Sequence, residues 1–365
     1  MAQKIRLGFI GANVRSNWAA QSHFPALMAS PDVELTAVCT TRPESAEEAK
    51  ETFGAQFAFH DYRAMVTSSE IDAVAVVVRV PGHYEPTKAA LEAGKHVYTE
   101  WPLGRTTAEA EELAALARAR GVQTAVGLQS RVSPTLMFMK EQIESGYVGE
   151  VLSCHVTCIR DGSLKRPSTR TWQRDISLGA NTLTIANGHV IDALRFVAGN
   201  FARVASMVTT QSPQWYETDT EQMVDVSSPD NVLVSGKLVN GAVASVHVAA
   251  APWAGSGFRM EIYGREGTLV ATGNVSSQRG ETLRLQGAHG GHDLSDLDVP
   301  ERFAYVPADF PRGDPYNVGQ MYALFADAIR TGQNHLPTFD TAVDLHRFID
   351  TIKQASDTGR ELKVS

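Results

Sequence analysis

The stretch KHVYTEWPLG, Lys95 to Gly104, sets a carboxylate (Glu100), an indole (Trp101) and a proline (Pro102) in succession at the end of a short strand-like run. A carboxylate can hold a proton or anchor a turn by accepting backbone N–H bonds. An indole offers a flat apolar face and one N–H that does not titrate; it stacks on a ring or a sugar, or favours a cation. A second candidate is the turn in GFIGANVRSNWAAQSHFPA, formed by Gly11, Asn13, Val14 and Arg15. In the pattern G-x-G-x-x-G such a turn brings backbone N–H groups against a pyrophosphate. Here only Gly11 is kept. Asn13 takes the second glycine's place, where tolerance of positive φ is expected of it, and Arg15 can meet a phosphate. At the end of the next strand stand Thr40, Thr41 and Arg42, where a carboxylate would hold the adenosine ribose hydroxyls. With no carboxylate there and an arginine to attract a 2′-phosphate, the pattern favours NADP(H), with NAD(H) the other candidate.

Such groups need a scaffold. Up to about residue 126 strand and helix patterns alternate: IRLGFIG, VELTAVCT, AQFAFHD, IDAVAVVVRV, HVYTE and VQTAVGLQ as strands, WAAQSHFPALMAS, PESAEEAKETFG, EPTKAALEAG and TTAEAEELAALARARG as helices. Parallel neighbours need crossover connections, so this alternation predicts a doubly wound parallel sheet. Beyond it come a helix, SPTLMFMKEQIESG, a strand, EVLSCHVTCI, and a helix, NGHVIDALRFVAG. RVASMVTTQ, NVLVSGKLV, AVASVHVAA, FRMEIYG and GTLVAT follow as strands, and turns such as VNGA and GREG predict antiparallel pairing. Most of Arg160 to Asp175 reads as a solvated basic loop, and Gln286 to Gly313 as a surface loop. VGQMYALFADAIRTG and TAVDLHRFIDTIKQAS close the chain as helices. The expected organisation is an α/β domain over residues 1–126 and an α+β domain over 127–365, built on a large, mainly antiparallel open-faced sheet. The closing helices can pack back on the first domain.

Composition narrows the partners. A formal net charge of −8 argues against nucleic acid or an anionic membrane surface. No apolar run reaches the ~18 residues that cross a bilayer, and MAQKIRLGFIG enters a strand pattern without a signal-peptide core. Three cysteines, Cys39, Cys154 and Cys158, form no disulfide framework. A cytoplasmic location is expected. HGGHD, His289 to Asp293, is too sparse a cluster for a metal site.

Read together, AVVVRVPGHYEPTKAALEAGKHVYTEWPL, GLQSRVSPTLMFMKEQIESGYVGEV, GHVID and FRMEIYGREGTLVAT resemble the glucose–fructose oxidoreductase / inositol dehydrogenase / MocA (Gfo/Idh/MocA) family. The resemblance runs over nearly the whole chain and is nearest to the branch that includes the fungal galactose-regulon repressor. It implies a Rossmann-type first domain, an NAD(P)-dependent oxidoreductase of sugars, polyols and related carbonyl compounds, and a homo-oligomer (dimer or tetramer) paired through the open-faced sheet.

The family's reacting centre joins a Lys in E-K-P to an Asp and a His in D-x-x-x-H. Glu100 and Pro102 match, Trp101 stands where the Lys would be, His189 matches the His, and Ile185 stands where the Asp would be. The resemblance therefore implies His189 as acid–base group, Trp101 as the platform under the reacting group, and Lys165 as a further proton source. It also marks Arg79, His83, Glu100, Trp101 and Trp172 as cofactor-facing. His83 has an equal second reading as a helix-start cap, and Arg79 departs from the usual Pro. An imine substrate would need less acid from the protein than a ketone. Loss of the Lys and Asp also admits a catalytically silent NAD(P)-binding regulator.

Overall fold

The computed structural model describes residues 3–15, 18–162, 164–274 and 283–364. The chain divides into two units: the described residues up to Val132 with Ala304–His346, and Ser133–Phe303 with the described residues from Arg347 onward.

In the first unit β1 (Ile5–Ile10), β2 (Val33–Cys39), β3 (Phe57–Phe59), β4 (Ala73–Val76), β5 (His96–Glu100) and β6 (Thr124–Gly127) form one parallel sheet. Its order is β3-β2-β1-β4-β5-β6, which reverses between β1 and β4, where ligands of such sheets settle beyond the strand ends. Every residue of β4 is buried, as a strand covered on both faces requires. Its pairing stops at Val76, so the long apolar run leaves the sheet before Val77. The connecting helices are α1 (Phe24–Ala29), α2 (Pro43–Phe53), α3 (Tyr62–Val66), α4 (Tyr84–Glu92) and α5 (Thr107–Arg120). Pro43 begins α2, and α5 runs from the Thr106 side-chain cap to Gly121 at φ 64°.

The second unit holds α6 (Pro134–Glu144), β7 (Val151–Arg160), β8 (Lys165–Arg166), α7 (Ser168–Thr171), α8 (Asn187–Ala198), β9 (Phe201–Thr209), β10 (Gln214–Glu217), β11 (Gln222–Asp225), β12 (Asn231–Leu238), β13 (Val243–Ala250), β14 (Gly257–Gly264), β15 (Gly267–Gly273), β16 (Arg284–His289) and β17 (Ser295–Asp296). With β18 (Leu362–Lys363) they build a nine-stranded sheet, β17-β16-β15-β14-β7-β13-β12-β9-β18, and a small sheet, β11-β10-β8. The large sheet is antiparallel except where β7 runs parallel to β13. One face is core: Cys154, Val156 and Cys158 of β7, Val232 and Val234 of β12, and Val246 and Val248 of β13 are all buried. The alternate positions leave Met207 60%, Leu233 46% and Val243 61% exposed, the half-wet alternation of an antiparallel sheet. Two expected loops are corrected. Residues 286–289 belong to β16, which pairs with β15; Arg160 ends β7, and residues 165–174 hold β8, α7 and a short turn. Their polar composition hid both; backbone pairing, not side-chain burial, defines them.

The chain continues with α9 (Asp314–Thr331) and α10 (Phe339–Thr358). In the first unit α9 lies against α1 and β2, bringing Tyr322 and Phe325 to a core shared with Leu7, Phe9, Phe24 and Tyr98. Among the described residues no helix is long and apolar enough to cross a membrane. Cys39, Cys154 and Cys158 are buried and in no disulfide.

Candidate functional site

Beyond β1, Gly11 takes φ 98°, and a Cβ there would lie 2.1 Å from the Val77 carbonyl oxygen. Only glycine permits so close a backbone approach. The N–H groups of Gly11 and Ala12 donate to the Cys39 carbonyl at 3.0 and 3.3 Å, tying the ends of β1 and β2 together. Asn13 departs from the expectation of a left-handed residue: among the described non-glycine residues only Glu221 has positive φ. It works through its side chain instead, Oδ1 accepting the Arg15 N–H at 2.8 Å. An Asx turn satisfies the backbone without a left-handed conformation. Val14 packs on the core beneath, and Arg15 is exposed.

At the end of β2 the hydroxyls of Thr40 and Ser45 lie 2.7 Å apart and reach the Arg42 carbonyl at 3.0 and 3.1 Å. Thr41 and Arg42 are exposed at the start of α2. Ser45 escaped the sequence reading because it sits a turn into a helix; its spacing from Thr40 was the available signal. The nearest carboxylate along the chain, Glu44, is exposed in the first turn of α2. The tight glycine turn at the end of β1, with hydroxyls and a guanidinium at the neighbouring strand end, suits a dinucleotide.

At the ends of β4 and β5, His83 is buried with Nδ1 2.7 Å from the Pro102 carbonyl and Nε2 3.0 Å from the Val78 carbonyl. It makes no helix-capping bond, so the capping reading is set aside. Burial pushes its pKa down against the pull of both carbonyls. A neutral ring has one N–H, so His83 donates to one of these carbonyls while its other nitrogen lies against the second, bridging the ends of β4 and β5. Arg79 precedes it, in extended backbone.

Glu100 faces a buried polar cluster. Its carboxylate accepts from the Tyr98 hydroxyl at 2.9 Å and from Gln129 Nε2 at 2.9 and 3.2 Å, and His23 Nε2 lies 3.1 Å away. His23 Nδ1 meets the Tyr322 hydroxyl at 2.8 Å. With the proton on Nε2 the ring donates to Glu100 and accepts from Tyr322. Burial first, then the Glu100 charge, lifts the pKa of Tyr98 and of Tyr322 well above a phenol's ordinary value. Gly127 of β6 makes the room, since a Cβ there would lie 2.6 Å from Glu100 Oε1.

Trp101 is buried and packs against the His346 ring, centroids 4.7 Å apart at 52°. His346 Nε2 is buried without a hydrogen-bond partner among the described residues, and burial pushes this imidazole down to about 4. It is a neutral neighbour at physiological pH. Nothing in the sequence links these distant positions.

In the second unit Asn181 caps the turn Thr182–Ala186 that feeds α8, its Oδ1 accepting from Leu183 and Thr184 N–H at 3.0 and 3.2 Å. His189 is thereby set in the first turn of α8, buried, with Asp192 buried one turn on. Ile185 has no group that titrates. Lys165 is exposed on β8, its Nζ 5.9 Å from the Tyr216 ring centroid, and Trp172 opens a short turn after α7. The first unit thus gathers the residues read as cofactor-binding, Trp172 excepted, at strand ends, while His189 and Lys165 belong to the second.

Residues 5–128 match the oxidoreductase family with the NAD-binding Rossmann fold, and residues 134–273 match the family described as Gal80p, C-terminal domain. A dehydrogenase of Aspergillus oryzae, aclE, is 33% identical over 99% of this chain and 98% of its own length. The galactose/lactose metabolism regulatory protein of Saccharomyces cerevisiae is 31% identical over 66% of this chain and 60% of its own. Among solved structures, levoglucosan dehydrogenase in complex with NADH and L-sorbose aligns over 100% of both chains with a TM-score of 0.87 at 24% identity, a likeness of fold. The chain belongs to the Gfo/Idh/MocA oxidoreductase family, with an NAD-binding Rossmann fold followed by a Gal80p-like C-terminal domain.

Proposed function

We propose that this protein is an NADP(H)-dependent oxidoreductase that moves hydride to or from a small polar carbonyl or hydroxyl compound, sugar- or polyol-like, or to an imine. The observation that carries this reading is the 33% identity to a dehydrogenase over 99% of the chain. When bound, the nicotinamide supplies or takes the hydride. In this reading Gly11, Asn13, Val14 and Arg15 receive the pyrophosphate, and Thr40, Thr41 and Arg42, with Ser45, the adenosine ribose and its phosphate. Arg79, Glu100 and Trp172 line the cofactor's path, and His83 keeps the ends of β4 and β5 in place. Trp101 stacks against the reacting group. His189 takes or gives the proton at the substrate oxygen, and Lys165 is a second donor. Replacing Arg42 removes a charge-assisted bond worth about 1.5–3 kcal/mol. Arg42→Ala is therefore expected to weaken NADPH by about tenfold or more in calorimetric titration and NADH by less than about twofold. Equal losses for both would overturn the NADP(H) assignment.

The competing reading is a catalytically silent NAD(P)-binding regulator. Trp101 and Ile185 in place of titrating groups favour it, as does the Gal80p-type match over residues 134–273. Tight NADPH binding with no turnover over a broad panel of sugars, ketones and imines would decide for it.

We also infer a homo-oligomer, dimer or tetramer, through the outer face of β9, β12 and β13, where Met207, Leu233 and Val243 are exposed. Light scattering should give a mass of two or four chains. A monomer would refute the pairing.

A further inference from the structure

Arg160 to Asp175 carries five cations, Arg160, Lys165, Arg166, Arg170 and Arg174, against two acids, Asp161 and Asp175. Arg166 does not behave as a solvated charge. It is half-buried on β8, with its guanidinium carbon 3.9 Å from the Trp215 ring centroid. Its one side-chain hydrogen bond among the described residues runs from Nη1 to Gln173 Oε1 at 3.4 Å, and no described carboxylate lies within ion-pair distance of it. Its cross-strand neighbour is Glu217, whose carboxylate accepts from Thr171 and Thr220 and lies 3.8 Å from Arg174. Asp219 is engaged by Ser168. Burial first, then the charges of Arg160 and Arg170, push the Arg166 pKa down to about 10. The Trp215 indole N–H is buried and has no partner among the described residues. Other cationic stretches of the chain differ: Arg6 pairs with Asp72, Arg330 with Asp32, and Lys95 donates to the Ser68 and Ile71 carbonyls.

A desolvated cation among like charges is costly unless an anion completes it. A guanidinium seated over an indole is arranged in advance to grip an oxyanion through two parallel N–H bonds. We propose that Arg166, backed by Trp215 and flanked by Arg160 and Arg170, binds the oxyanion of an acidic substrate, a carboxylate or a phosphate ester. The substrate assignment rests on the oxidoreductase reading; the site itself is testable without turnover.

The intact protein would be titrated with D-glucuronate, inorganic phosphate and D-glucose at constant ionic strength, following tryptophan fluorescence and heat. At least one anion is expected to bind about tenfold or more tightly than glucose, and which one distinguishes carboxylate from phosphate. Arg166→Gln should weaken it about tenfold or more, Arg166→Lys less, and exposed Arg170→Ala by about threefold, as lost charge-assisted bonds predict. NADPH affinity should stay within about twofold throughout. Binding of both anions no tighter than glucose, or unchanged anion binding in the arginine variants, would overturn the proposal. Should Arg166→Gln misfold by circular dichroism, Arg170→Ala carries the test. Absence of NADPH binding alongside intact anion binding would sink the oxidoreductase reading and leave the anion site standing.

Discussion

Exchanging His189 for alanine should lower kcat/KM by about 10²- to 10⁴-fold, the usual worth of positioned acid–base help. At about 1.4 kcal/mol per decade, that is roughly 3–5 kcal/mol of transition-state stabilisation. The loss should fall in this range because in the proposed assignment only Lys165, exposed on β8, is left to compensate. In that assignment Trp101 stands where the family lysine would be and has no titrating group, and Ile185 where the family aspartate would be. His189 sits buried at the start of α8, behind the Asn181-capped turn, so its ring is held without cost to the substrate. NADPH affinity, measured separately, should be unchanged. A variant that turns over at the native rate would remove His189 from the chemistry and strengthen the regulatory reading.

The largest stability effect is expected at Glu100. Deleting a buried acceptor leaves each stranded donor desolvated and unpaired, at about 1–3 kcal/mol apiece. Glu100→Ala strands His23, Tyr98 and Gln129 together, since all of them bond its carboxylate. The unfolding free energy from urea titration should fall by about 3 kcal/mol or more, with the slope little changed, and Glu100→Gln, which keeps acceptor capacity on one oxygen, should lose less. A loss under about 1 kcal/mol for the alanine variant would mean that the cluster contributes little.

Much of this architecture is legible in the chain. The Val/Ala run of β4, the Pro43 and Gly121 helix boundaries and the turn between β12 and β13 each have a local physical cause, so they read correctly. What escaped reading was non-local. QWYE and QMVD, which form β10 and β11, are short, and RLQGAH of β16 contains glycine and histidine; only pairing partners make these segments strands. Asn13 fails as a stand-in glycine because its side chain offered the backbone a cheaper turn. The contact of Trp101 with His346, and the gathering of His23, Tyr322 and Gln129 around Glu100, join positions far apart in the chain. Arg166 read as one more soluble charge because composition cannot reveal that an indole lies beneath it.

The bare α-carbon of Gly127 gives the edge of the first sheet an unusual property. The notch it leaves in β6 is the berth of the Glu100 carboxylate, so the last strand cannot add to the sheet without enclosing a charge. Zipping of that edge and dehydration of the acid are one event, and a chain lacking the imidazole opposite would fray there first.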